Sequence, residues 1–241
     1  MKSRRLTETD LANMSFLPSE DKRARIESLI KPKRIIGSYE PFRSTVGDAL
    51  NEQFPFLIED QQPTPLGKLE ETVIRACKGD DELIKMNLIV AKATHAFAIS
   101  QKLSAERHQV RRITLAFGHG YDFGMPLIMR DGSSAYAVFP DLRRTAPLTP
   151  RGARFVFSMM DQRLRVNNRD LRELGLKIWR YENNSTRSIR AIPCPDQSLI
   201  AYEELAADVR ESYDILHQAM KKDEEQRRRR GGEDHGPLFG T

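Results

Sequence analysis

The segment from Gly118 to Gly124 holds three glycines together with three side chains that can take part in catalysis. Histidine is the side chain type that changes protonation near neutral pH without help from its surroundings, and the carboxylate of Asp122 could serve as the acid–base partner of His119. The glycines allow a substrate to approach the backbone closely. With Asp141, these residues define a candidate catalytic set for a hydrolase or nuclease-like enzyme. The alternative is a glycine-rich connection between two strands, with His119 exposed to solvent.

A row of arginines forms a second candidate site. The helix predicted to follow Thr149 carries Arg151, Arg154 and Arg165 on one face, with Ser158 and Gln162 between them, opposite an apolar face. Guanidinium groups in such a row can follow a phosphate backbone, with an affinity that falls steeply as salt is added. The candidate nucleic-acid-binding residues are Arg143, Arg144, Arg151, Arg154, Arg165 and Arg169. The alternative is a solvated face whose arginines pair with Asp141, Asp161 and Asp170.

The positive charge is distributed unevenly along the 241 residues, whose formal net charge is +5. Residues 101–190 hold 17 basic and 8 acidic side chains, and 15 of the 17 are arginine. Arginine is better suited than lysine to bidentate recognition of phosphate or carboxylate. A bacterial codon preference for arginine would produce the same excess. The charge pattern therefore favours an anionic partner without identifying it.

The composition excludes several other classes of protein. Cys77 and Cys194 lie far apart and have no cysteine neighbours, which excludes a disulfide scaffold and a Cys-rich zinc module. The spacing of His95 and His108 to His119 matches no metal-binding motif, so we expect no metal and no cofactor. No apolar run reaches the roughly 18 residues of a membrane helix, and no secretory signal is present. We expect a cytoplasmic protein that does not contact a membrane.

The order of predicted elements is helices, strand, hairpin, helix, hairpin and helix. Asp131-Gly132 predicts the turn of the first hairpin, and Thr149-Pro150 predicts the start of the helix that follows it. It predicts an α+β fold with a roughly five-stranded antiparallel or mixed sheet, helices mainly on one face and a long C-terminal helix. We expect a basic N-terminal arm and helical appendage over residues 1–62 and the α+β core over 63–222. Residues 223–241 should form a disordered charged tail, or begin as a fraying helix up to Arg230.

This element order is also similar to that of restriction-endonuclease-like nucleases. That family carries an acid-x-Lys motif, because its metal ions need carboxylates and its lysine positions a water molecule. In this chain Pro140 precedes Asp141, and Arg143 stands in place of the lysine. An intact nuclease site of this kind is therefore not expected, although an inactive relative remains open.

The tail carries a short segment that is typical of docking peptides. Pro237-Leu238-Phe239 resembles sliding-clamp-binding peptides in three residues, with Glu233 or Asp234 where those peptides have an upstream glutamine. The resemblance implies a protein partner that binds through the tail. The four arginines from Arg227 to Arg230 would add affinity for nucleic acid or for an acidic surface.

The features combine into one leading prediction and two alternatives. We predict a non-enzymatic protein that binds nucleic acid, or another phosphate-rich partner, through the arginine-rich helix face. The first alternative is a hydrolase or nuclease-like enzyme that uses the segment from Gly118 to Gly124. The second is a protein–protein adaptor with an acidic partner.

Overall fold

A computed structural model describes most of the chain. The described residues are 5–30, 38–53, 62–108, 110–132, 134–166, 168–195 and 199–233, with side chains up to residue 226. The helices are α1 (Glu8–Met14), α2 (Ser19–Ile30), α3 (Glu40–Ser44), α4 (Val46–Ala49), α5 (Leu66–Ala76), α6 (Asp81–Ser100), α7 (Pro150–Asp161) and α8 (Tyr202–Glu233). The strands are β1 (Glu52–Gln53), β2 (Ser104–Arg107), β3 (Ile113–Thr114), β4 (Gly120–Tyr121), β5 (Leu127–Asp131), β6 (Ser134–Asp141), β7 (Gly175–Tyr181) and β8 (Ile189–Pro193).

Six of these strands form one mixed sheet in the order β1-β2-β5-β6-β7-β8. The β1/β2 and β6/β7 pairs are parallel, and the other neighbours are antiparallel. Strands β3 and β4 form a separate two-stranded ribbon. The predicted fold class is confirmed: the protein is α+β, with a mixed sheet and a long C-terminal helix. Strands β1 and β2 of this sheet were not predicted, because their short polar sequences carry no strand pattern.

Local sequence signals explain where the main elements begin and turn. Thr149 caps α7 by accepting a hydrogen bond from the Gly152 backbone N–H at 3.1 Å, and Pro150 is the first helical residue. In the β5–β6 hairpin, Asp131 pairs with Ser134, and Gly132 adopts a φ of +63° as a tight turn requires. Both features were predicted, and both are confirmed.

Helices cover both faces of the sheet, whereas the sequence suggested one main face. Tyr136 and Val138 of β6 pack into the apolar cluster that includes α5 and α6. Ala137 and Phe139, on the opposite face of the same strand, pack into the cluster with α7 and α8. A central strand of this kind is apolar on both sides, so it shows no alternation that would indicate a covered and an open face.

The N-terminal helix α2 is joined to α8 by a buried ionic contact. Lys22 Nζ donates to Asp208 Oδ1 at 2.6 Å and also to the Glu211 carboxylate. Asp208 Oδ1 also accepts the Phe16 backbone N–H at 2.8 Å, and Glu211 Oε1 accepts the Ser19 hydroxyl. Residues of the predicted appendage therefore contact the C-terminal helix, and the division of the chain at residues 62 and 63 stays a prediction.

Glu211 should make this contact sensitive to acid. Hydrogen bonds from Lys22 and then Ser19 lower the pKa of Glu211 below its ordinary value of 4.5. A carboxyl whose pKa is lowered on folding adds stability above its ordinary pKa, and that stability is lost as the pH falls through the lowered value. We expect Glu211→Gln to be less stable than the wild type at pH 7 and to lose less further stability below about pH 5. Urea unfolding across this pH range measures both effects, and identical acid slopes would contradict the assignment.

The C-terminal helix continues through the first part of the predicted tail. Helix α8 extends to Glu233, in line with the helical alternative for residues after 222. Residues 234–241, with Pro237-Leu238-Phe239, lie outside the described residues. Within the described part of the chain, no helix combines the length and apolar character needed to cross a membrane.

Candidate functional sites

The β3–β4 ribbon and helix α8 position the predicted catalytic histidine. The tight turn places Phe117 and Gly118 at φ values of +58° and +76°. The Leu115 N–H donates to the His119 carbonyl at 3.0 Å, which closes the turn. The His119 ring then stacks on Tyr213 of α8, with centroids 4.9 Å apart and an angle of 19° between the planes. One face of the His119 ring therefore packs against Tyr213, and the side chain is half-buried rather than fully exposed in a loop.

Asp122 lies in an ion-pair network with two arginines. Its Oδ2 accepts from Arg112 Nε at 2.8 Å, and its Oδ1 accepts from Arg163 Nη2 at 3.3 Å. Arg163 is only 3% exposed at its side chain and also donates to the Phe123 carbonyl at 3.0 Å. Burial lowers the pKa of Arg163, and the nearby charge of Asp122 opposes that change. This arrangement fixes the segment around Asp122 to the π-helical turn Gln162–Val166, which directly follows α7.

Arg163 was not among the predicted site residues, although the sequence carries a signal for it. Arg163 follows Met160 by three positions, which places it on the predicted apolar face of the helix. A charged side chain on an apolar face is buried only when it has partners. Its partners include the carbonyl oxygens of Val110 and Arg111, at 3.4 and 3.3 Å. The described structure thus gives this arginine a role in holding the chain before Gly118.

Asp141 is buried at the end of β6 and has partners of its own. Its Oδ2 accepts the Leu148 backbone N–H at 2.9 Å, and its Oδ1 accepts Arg143 Nε at 3.1 Å. Asp122 lines a cleft of about 580 Å³, but neither His119 nor Asp141 lines it. In the described part of the chain, no hydrogen bond or ion pair joins any two of these three residues. Each of the three predicted catalytic residues therefore has its own contacts in the structure. The catalytic role of the set stays a prediction.

The predicted arginine row on α7 is interrupted. Arg151 is exposed and donates to the Phe16 carbonyl at 3.0 Å. One position within the row, Ser158, is buried, and its hydroxyl accepts the Ile200 backbone N–H at 2.9 Å. The chain entering α8 therefore crosses the face that was expected to be open. The amphipathic pattern could not show this crossing, because it depends on a segment about 40 residues further along the chain.

The remaining predicted arginines are dispersed. Arg165 Nε donates to the Leu174 carbonyl at 2.7 Å, and its Nη1 pairs with Asp161 at 3.3 Å, as the alternative interpretation expected. Arg154 is exposed on α7, and Arg169 is exposed in the short helical turn that follows it. Arg143 and Arg144 lie in the loop after β6. Among the described residues, no group of histidine, cysteine and acidic side chains is arranged to hold a metal ion.

Comparison with known proteins gives two matches. A family model described as "Sliding clamp-binding bacterial toxin SocB" matches residues 9–228. The DNA replication inhibitor toxin SocB of Caulobacter vibrioides is 28% identical over 244 residues, which cover 96% of this chain and 98% of that protein. No solved structure matches the chain.

These matches overturn the leading prediction. The family is described by its binding of a sliding clamp, which is a protein. The prediction of a basic DNA-binding protein, with nucleic acid or a phosphate-rich molecule as its main partner, is therefore wrong. The alternative of a protein that acts through a protein partner is closer. Part of the physical reason is visible in the fold, since Arg151 and Arg165 of the predicted set donate to the carbonyl groups of Phe16 and Leu174.

Proposed function

Because the chain belongs to the SocB family of sliding clamp-binding bacterial toxins, we propose that it binds a bacterial sliding clamp and thereby inhibits DNA replication. The observation that carries this proposal is the family match over residues 9–228, which extends from α1 into α8. Occupation of the clamp surface would deny it to proteins that need the clamp during synthesis. The toxin would act in the cytoplasm, and the extent of inhibition would depend on its concentration. It would act by binding, without making or breaking a covalent bond.

The sequence offers two segments through which the protein would dock. The tail segment Pro237-Leu238-Phe239 lacks the upstream glutamine of sliding-clamp-binding peptides. A second segment, Gln53-Phe54-Pro55-Phe56-Leu57, places a glutamine ahead of an apolar and aromatic cluster. Residues 54–61 and 234–241 lie outside the described residues, so this comparison rests on the sequence. We favour the segment that begins at Gln53, because it has both features.

The described residues support this choice at the start of the segment. Strand β1 stands at one end of the strand order, beside β2. Glu52 is tied to Arg107 of β2, whose Nε and Nη2 donate to the two carboxylate oxygens at 2.7 and 2.8 Å. A bidentate pair of this kind restricts the backbone that leads into Phe54. Fixing one end of a docking segment lowers the conformational entropy lost on binding.

The experiment is a binding titration of the purified full chain against a purified bacterial sliding clamp. We expect Phe54→Ala/Phe56→Ala to weaken binding at least about tenfold, because aromatic anchors dominate the energy of such contacts. Leu238→Ala/Phe239→Ala should bind like the wild type, and so should the charge variant Arg151→Glu/Arg154→Glu. Inhibition of clamp-dependent DNA synthesis should follow the same order.

The outcomes separate the parts of the proposal. If the wild type does not bind the clamp at micromolar concentration, the proposed function is wrong. If only the variant at Leu238 and Phe239 loses binding, the clamp is the partner but docking occurs through the tail. Circular dichroism of each variant shows whether a lost signal reflects binding or unfolding.

A further inference from the structure

Four arginines meet where β6 and β7 end. Strands β6 and β7 are parallel, and Asp141 pairs in register with Arg180. The four arginines, here called the arginine cluster, are Arg143, Arg144, Arg180 and Arg187. Two of them follow Asp141 in the loop after β6, and Arg187 lies in the turn between β7 and β8 with a φ of +55°. Tertiary structure thus gathers positive charges from three separate stretches of the chain.

The most buried member, Arg187, is held by backbone oxygen atoms. Its Nη2 donates to the Leu142 carbonyl at 2.5 Å, and its Nη1 donates to the Glu182 carbonyl at 3.3 Å. The neighbouring Arg180 Nη2 donates to the Leu148 carbonyl at 2.5 Å. Burial lowers the pKa of Arg187, and the charge of Arg144 lowers it further against the opposing effect of Tyr39. Among the described residues, the carboxylate that pairs with guanidinium groups of this cluster is that of Asp141.

Asp141 supplies only part of the charge that the cluster needs. It pairs with Arg143 Nε at 3.1 Å and lies 3.9 Å from Arg180 Nε, which is too long for a hydrogen bond. Three buried donors of the cluster have no hydrogen-bond partner among the described residues: Arg143 Nη2, Arg180 Nε and Arg187 Nε. Buried charged donors without partners carry a large desolvation cost. Such donors show that the positive charge of the cluster exceeds what its partners among the described residues satisfy.

We propose that the arginine cluster binds a carboxylate from a protein partner, supplied by an aspartate or glutamate side chain. Arginine forks match the two oxygens of a carboxylate, and Arg143 of the cluster already donates to one oxygen of the Asp141 carboxylate. A partner would contact the outer part of the cluster, because Arg144 is exposed and the side chains of Arg143 and Arg180 are 23% and 20% exposed, whereas Arg187 lies buried behind them. The residues of the arginine cluster belong to a different part of the sequence from the segment after Gln53, and this proposal does not depend on clamp binding.

The test measures thermal unfolding of the full chain in sodium malonate against sodium chloride of equal ionic strength. We expect malonate, as a dicarboxylate probe, to raise the melting temperature by about 3 °C or more beyond the chloride control. Arg143→Gln/Arg144→Gln should lose this difference. Arg169→Gln/Arg172→Gln, which removes the same charge from two exposed arginines, should keep it. An acetylated and amidated peptide with two glutamates should act like malonate, and its glutamine counterpart should not.

A further variant tests the site by removing its negative charge instead of its positive charge. Asp141→Asn removes the internal carboxylate, so it should be less stable than the wild type in chloride and should gain more from malonate. Equal responses in the Arg143/Arg144 and Arg169/Arg172 variants would overturn the proposal. A response to malonate no larger than that to chloride would also overturn it. A larger response to inorganic phosphate than to malonate would overturn the assignment to a carboxylate.

Discussion

Replacing Lys22 with methionine should destabilise the protein by about 3–5 kcal/mol, which is the usual effect of removing one partner from a buried ion pair. The Lys22 side chain is 1% exposed, and its ammonium group contacts Asp208 at 2.6 Å. Without it, the buried Asp208 carboxylate keeps the Phe16 N–H as a donor but loses its counter-charge. Equilibrium urea denaturation at pH 7 measures the loss. As urea is added, the contact between α2 and α8 should be lost before the contacts of the central sheet.

The chain provides a matched control for this substitution. Lys92 pairs with Glu70 at a similar distance, 2.7 Å, but its side chain is 49% exposed. Lys92→Met should therefore change the free energy of unfolding by no more than about 1 kcal/mol. The double variant Lys22→Met/Asp208→Leu should recover much of the loss, because it removes the unpaired carboxylate as well. Equal costs for Lys22→Met and Lys92→Met would show that burial of the pair is unimportant.

Arg163→Met is the second change for which we expect a large effect, about 3 kcal/mol. The substitution keeps most of the side-chain volume but removes every donor to the carbonyl groups of Val110, Arg111 and Phe123. These acceptors lie on both sides of the β3–β4 ribbon. We expect amide hydrogen exchange to speed up over residues 110–124 more than in the central sheet, together with the fall in global stability.

Arg112→Met is the control for Arg163, since both arginines pair with Asp122. Arg112 is 63% exposed at its side chain, so its loss should cost less than about 1 kcal/mol. Protection of the ribbon should then stay close to that of the wild type. If Arg112→Met speeds up amide exchange in the ribbon as much as Arg163→Met does, the ion pair to Asp122 is the main interaction that stabilises the ribbon. The hydrogen bonds to the buried carbonyl groups would then contribute little.

Sequence alone determined those features that depend on neighbouring residues. The Thr149-Pro150 start of α7 and the Asp131-Gly132 turn were predicted correctly, because capping and turn geometry involve only a few adjacent residues. The α+β class and the long C-terminal helix followed from periodicity over longer stretches. The short polar strand Ser104–Arg107 was missed, because its assignment comes from pairing with Leu127–Asp131.

Tertiary structure alone decided what the arginines do. In the sequence they form one excess of positive charge, and that excess suggested a phosphate-binding face. In the fold, Arg163 is buried against carbonyl oxygens, Ser158 is covered by the chain at Ile200, and Arg180 is brought beside Asp141 by parallel pairing. Each contact joins residues far apart in the chain, and burial decides whether a charge meets solvent or a backbone acceptor. Residue type and spacing do not specify these long-range contacts or the burial of each charge, because both depend on how the sheet and its covering helices are assembled.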